Sequence, residues 1–125
     1  MESKIITGVF VDEDIIKDTM VNTLEGMYEK LDCDLIDIFS VNINGVDCDV
    51  ILDDEGKFKE EQNVAMVFKH NGKMVDCVVG KIFLCKGMNE TGELASLSDG
   101  EIETIIAAAK VMGPGERKIL EVNVD

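Results

Sequence analysis

The stretch Asp32–Lys57, DCDLIDIFSVNINGVDCDVILDDEGK, decides how the rest of the chain is read. Two apolar, β-branched runs flank Asn44-Gly45, whose residues both tolerate positive φ, and this pattern predicts a β-hairpin closed by a two-residue type I′ turn. Such a turn sets the register. Ile43 faces Val46, Val41 faces Cys48, Phe39 faces Val50 and Asp37 faces Leu52, all on the core side. The opposite side pairs Asn42 with Asp47, Ser40 with Asp49, Ile38 with Ile51 and Ile36 with Asp53, and none of its carboxylates meets a Lys or Arg. That side is expected to face outward. It would mix the charges of Asp47, Asp49 and Asp53 with Ile36, Ile38 and Ile51, a candidate contact surface unless another element covers it.

Towards the N-terminus, Lys4–Val11 is a β-branched run that predicts a strand, ended by Asp12-Glu13-Asp14, whose oxygens suit a helix start. A helix is expected over Asp14–Leu31. Ile16, Met20, Leu24, Met27 and Leu31 recur at three- and four-residue steps and form its core stripe, while Asp14, Asp18, Glu25 and Glu29 form an acidic stripe that Lys17 and Lys30 offset only in part.

Towards the C-terminus, Asp53–Lys57 is a turn. Glu61–Val67 reads either as a short helix or as the approach to a strand, and the helix is the reading taken. Asn71-Gly72 is a second turn, followed by Met74–Cys85, a nearly continuous apolar run expected to be one central strand bulged at Gly80. Ser98 and Glu101 form an S-x-x-E capping box with a Leu97–Ile102 staple, which predicts a helix over Asp99–Met112 closed by Gly113-Pro114-Gly115. Ile119–Val124 alternates and suits an edge strand. The expected fold is a single α+β domain over residues 1–125, a mostly antiparallel sheet of four to five strands with two main helices packed on it.

The 125 residues include 26 acidic and 12 basic ones, a formal net charge of -14. Nucleic-acid binding needs Lys and Arg to displace counterions, and the chain has one Arg, Arg117, and no basic cluster, so direct nucleic-acid or anionic-membrane binding is excluded as the expected function. No segment reaches the roughly 18 apolar residues of a membrane span and no signal peptide precedes the first strand. Cys33, Cys48, Cys77 and Cys85 lie in apolar or alternating segments without C-x-x-C spacing and read as buried thiols of a reducing cytoplasm.

Metal and catalytic patterns fail on inspection. Aligning Gly56 with the Gly of an EF-hand loop puts Ile51 at the first ligand position and Gln62 at the twelfth. The cysteines are 15, 29 and 8 positions apart and His70 stands alone, which does not suit zinc. Weak divalent-cation binding at Asp53, Asp54 and Glu55 is the remaining metal reading. The acids sit in polar or turn-like contexts, Asp37 excepted, no base accompanies a nucleophile, and no phosphate-binding Gly motif occurs. No cofactor and no catalytic residue is expected.

The run LDDEGKFKEEQN with its Asn63, the V-G-x-x-F-[IL]-C strand of Val79–Cys85, and the loop leading into S-L-[ST]-x-x-[DE]-I resemble the family called domain of unknown function 3846. The resemblance spans roughly the C-terminal two-thirds and implies a cytoplasmic protein of a phage or mobile element in a mainly Gram-positive bacterial host. Its motifs are structural, and no catalytic residues come with it. The expected function is non-enzymatic binding of a host protein with a basic surface by Asp14, Asp18, Glu25, Glu29, Asp47, Asp49 and Asp53 with Ile36, Ile38 and Ile51. The carboxylates would mimic nucleic-acid phosphates, as in an anti-restriction or anti-CRISPR inhibitor. The alternative is an interaction or regulatory module of the element, self-associating through the isoleucines or the C-terminal strand edge.

Overall fold

The structure, a computed structural model, describes residues 5–12, 15–54, 64–87, 94–112 and 118–124. Strands β1 (Ile5–Val11) and β2 (Ile15–Val21) are followed by helix α1 (Leu24–Leu31) and the hairpin β3 (Ile36–Ile43) and β4 (Val46–Asp53). Then come β5 (Val64–His70), β6 (Lys73–Val79), β7 (Ile82–Lys86), helix α2 (Asp99–Ala108), β8 (Lys110–Met112) and β9 (Lys118–Asn123). The five-stranded main sheet has the order β2-β1-β7-β4-β3, and a second sheet has the order β6-β5-β9-β8. All pairings are antiparallel except β5 with β9. The fold is α+β.

The opening hairpin forms in the expected register. Asn44 and Gly45 take φ of 50° and 88°, the left-handed pair a type I′ turn requires, and the pairs run from Ile43 with Val46 to Ile36 with Asp53. Strand alternation then splits the main sheet into two faces. On one, Val9, Val11, Ile43, Val46, Cys48, Val50, Ile82 and Leu84 pack against Met66, Phe68, Val78 and Val122 of the second sheet and against Ile102 and Ile105 of α2. Phe39 and Phe68 bridge the sheets edge-to-face, with ring centroids 5.5 Å apart. On the other, Ile6, Ile51, Phe83 and Cys85 pack with Met20 of β2, Met27 and Leu31 of α1, Cys33 and Leu94. The main sheet is thus the middle layer, covered on both sides.

The N-terminal helix is shorter than expected. Ile15–Val21 is a strand paired with β1 from Val11–Ile15 to Ile5–Val21, and the helix begins only after Thr23, whose hydroxyl caps it by accepting from the Gly26 N–H. A four-residue step between apolar positions equals two strand repeats as well as one helical turn, so Ile16, Met20 and Leu24 fit either period. Met74–Cys85 is two strands in different sheets. Gly80, at φ 102°, turns the chain between them, and β7 becomes the centre of the main sheet.

At α2 the capping box is formed, Ser98 Oγ accepting from the Glu101 N–H and Glu101 from the Ser98 N–H. The helix ends at Ala108, because Ala109 turns extended and Lys110–Met112 pairs with β9. Gly113-Pro114-Gly115 lies outside the described residues. Val64–His70 is strand, not the helix expected to reach Val67; residues 61–63 lie outside the described residues. The C-terminal strand is no edge, because β9 lies between β5 and β8.

Candidate functional site

The hairpin face expected to point outward is the one α1 covers. Ile51 is 0% exposed, and Ile36 and Ile38 are half-buried against the same cluster. Asp49 and Asp53 are 4% and 5% exposed, so neither they nor Ile51 present a contact surface. The carboxylate of Asp49 is satisfied inside, accepting from Ser40 Oγ at 2.6 Å. The expectation failed because strand register tells which residues share a face, and the element that covers a face is a tertiary fact.

The other acids have separate fates. Asp14 lies outside the described residues. Asp18, on β2, is tied down: its Oδ2 accepts from Lys30 Nζ at 2.6 Å and its Oδ1 from the Thr19 N–H at 2.8 Å. The Lys30 hydrogen bond, then that of Thr19, holds its carboxyl below the usual aspartate range. Glu25 and Glu29 are exposed on α1, about 6 Å apart along its axis. Asp47 is exposed at the hairpin tip, accepting from Asn42 Nδ2 at 2.8 Å. It sits six strand residues, roughly 20 Å, from the hairpin's other end. With Asp14–Leu31 not one helix, Asp18 leaves the acidic stripe and the pair Glu25, Glu29 remains.

Three more exposed carboxylates stand at the open end of the hairpin, and of these the sequence singled out only Asp37. The Asp54 N–H donates to the Leu35 carbonyl at 3.0 Å, which closes the open end of the hairpin onto the segment leaving α1. Asp34, Asp37 and Asp54 are exposed there, around Leu35, which is itself 49% exposed. Asp37, which the register puts on the core side, is at the hairpin's end and exposed, and its Oδ1 accepts from the Ile38 N–H at 2.9 Å. The available signal was negative. From Leu31 to Gly56 the chain contains no Lys, Arg or His.

The described ion pairs lie elsewhere: Lys17 with Asp99 at 2.7 Å, Lys30 with Asp18 and Lys86 with Glu101, both at 2.6 Å. Lys30, the cation nearest in sequence, also sits 4.5 Å from the Phe10 ring centroid. Its charge is engaged. Among the described residues Glu25, Glu29, Asp34, Asp37 and Asp54 have no cationic partner, and two such charges about 6 Å apart in water repel by about 0.7 kcal/mol. Charge of that kind is relieved by a cationic surface brought up from outside.

The turn proposed for divalent cations is split, with Asp53 buried, Asp54 exposed and Glu55 outside the described residues. Among the described residues no three His, Cys, Asp or Glu side chains converge as a metal site. No helix among them is long and apolar enough to cross a membrane.

Fold and surface together define a small two-sheet α+β domain with exposed carboxylates that lack a cationic partner among the described residues, on α1 and at the open end of the β3–β4 hairpin. The chain belongs to the family described as domain of unknown function (DUF3846), whose model matches residues 6–110. That span takes in β1, β2 and α1 as well as the C-terminal motifs that suggested the resemblance. No curated protein and no solved structure matches the chain.

Proposed function

We propose that the protein is a non-enzymatic binder whose exposed carboxylates dock on the basic surface of a host protein. There it takes the place of nucleic-acid phosphates, in the manner of an anti-restriction or anti-CRISPR inhibitor carried by a phage or mobile element and acting in the bacterial cytoplasm. The observation that carries the reading is the uncompensated charge of Glu25 and Glu29 on α1 and of Asp34, Asp37 and Asp54 at the open end of the hairpin, away from the described ion pairs of Lys17, Lys30 and Lys86. The backbone that carries these carboxylates is a helix and a hairpin end, so a complementary surface gains attraction without ordering a flexible chain.

Competition tests it. Purified restriction endonucleases, CRISPR effectors and other DNA-binding enzymes of the host are loaded with fluorescent duplex DNA, and displacement by this protein is followed by anisotropy at 50 and 300 mM NaCl. At least one enzyme should release its DNA at low salt, less so at high salt, and the variant Glu25→Lys, Glu29→Lys, Asp34→Lys should lose the effect at least tenfold. Displacement by the variant as strong as by the wild type would sink the reading.

A further inference from the structure

A groove of about 300 Å³ lies between β2 and α1, lined by Ile5, Thr19, Met20, Val21, Gly26, Glu29 and Lys30. Its apolar lining is accessible at one point above all. Ile5 is 63% exposed at the start of β1, opposite Val21 in the register. Leu24, which begins α1 three residues after Val21, is 56% exposed. A large apolar side chain such as Ile5, left in water on the rim of a concavity, marks a contact surface. One wall is anionic, since Glu29 lines the groove, Glu25 stands one turn before it on α1, and neither has a cationic partner among the described residues. Lys30 does not neutralise that wall, because its Nζ is held by Asp18 and lies over Phe10.

We propose that this groove is the anchor site of the basic partner: it takes one apolar side chain whose flanking Lys or Arg residues reach Glu25 and Glu29. The inference rests on the protein-binding function proposed above and adds the chemistry of the segment recognised. Charge complementarity selects the occupant. A second copy of a chain of net charge -14 is repelled from an anionic wall, and a neutral apolar segment leaves Glu25 and Glu29 unpaired. On the β2 edge the Thr19 N–H already donates to Asp18, so that donor is not offered to an added strand, and the proposed contact is through a side chain.

The test is an amide NMR titration of the full chain at 20 mM NaCl with a capped peptide, Lys-Lys-Leu-Lys-Lys, and with its Leu-to-Ala counterpart. The Leu peptide should shift Ile5, Met20, Val21, Gly26 and Glu29 and bind at least threefold more tightly than the Ala peptide. Ile5→Asp, at a position exposed enough not to threaten folding, should abolish that difference, and Glu25→Lys with Glu29→Lys should weaken both peptides at least fivefold. Equal binding of the two peptides, or shifts confined to Asp34, Asp37 and Asp54, would overturn the anchor and leave the acidic binding surface standing. Shifts nowhere at low salt would overturn both. Shifts at the groove that grow with protein concentration alone would mean a second copy occupies it, and would overturn the proposal too.

Discussion

Asp49 shows how one side chain was misread and what it does instead. It pairs with Ser40 on β3 and with Cys85 on β7, so it lies buried within the main sheet, and its charge is felt by the thiols around it. Burial, and then the negative charge of Asp49, pushes Cys48 and Cys85 up to about 12. The thiolate is the reactive form, so both should resist iodoacetamide at pH 8 in the native state and react only in denaturant, as read by mass spectrometry. Rapid native labelling of either would show that the strands around them open. Glu101 gives the opposite sign. Hydrogen bonds from Lys86 and then from the Ser98 N–H hold its carboxyl below its ordinary 4.5, a contribution to stability that is present above that pH and lost as pH falls through the depressed folded value. The wild-type advantage over Glu101→Gln in urea unfolding should therefore be full at pH 7 and shrink below about pH 4.5. An advantage independent of pH would remove the ion pair as its cause.

Among the elements, what was legible is what local chemistry dictates. Asn44-Gly45 set every pair of the β3–β4 hairpin, and Ser98 with Glu101 set the start of α2. What was not legible hung on competition between periods and on tertiary cover. Ile16, Met20 and Leu24 suited helix and strand alike, and the signals that separated them were the β-branched Ile15, Thr19 and Val21 with Thr23 as a cap. Met74–Cys85 is longer than the usual five or six residues of a strand, which was the sign that it is two. The set of unpaired carboxylates was half legible, through Glu25 and Glu29; Asp34, Asp37 and Asp54 meet only because β4 returns to Leu35. Gly26 tests this arrangement. In an ordinary helix Gly→Ala gains about 1 kcal/mol, but here the new Cβ would fall 2.3 Å from the Val21 carbonyl oxygen, where β2 runs into α1. Overpacking of that kind costs about 1–3 kcal/mol. Gly26→Ala should therefore lower the urea midpoint, whereas a higher midpoint would mean α1 is not held against β2 as described. Both outer strands of the main sheet carry an aspartate that accepts from the next residue's N–H, Asp18 from Thr19 and Asp37 from Ile38. Each bond occupies one outward donor of an edge strand and so opposes strand addition at that point. Asp37→Ala frees one such donor and should raise the weight-average mass in light scattering at millimolar protein, with thermal stability changed by less than about 1 kcal/mol.

At the scale of the whole molecule, charge acts on folding in two opposed ways, and their magnitudes decide the outcome. The described ion pairs, Lys17–Asp99, Lys30–Asp18 and Lys86–Glu101, favour the folded state and are weakened by salt, but pairs as open to solvent as these contribute little. Against them stands a net charge of -14 on a domain with a radius of gyration of roughly 14 Å. At 10 mM salt the Debye length is about 30 Å, so all the carboxylates of the folded domain repel one another, while an unfolded chain spreads them apart. At 0.15 M it falls to about 8 Å, and only near neighbours such as Glu25 with Glu29 still interact. Relief of repulsion therefore outweighs loss of the pairs, and the Tm should rise as NaCl increases from 10 mM to 0.3 M. If the charge of Glu25 and Glu29 is uncompensated, Glu25→Lys with Glu29→Lys should raise the Tm at 10 mM NaCl and flatten its salt dependence. Calorimetry of the two proteins at three salt concentrations reads this directly. A wild-type Tm that falls with salt would mean that the ion pairs dominate and that the exposed carboxylates are compensated within the molecule, leaving it no electrostatic reason to seek a basic partner.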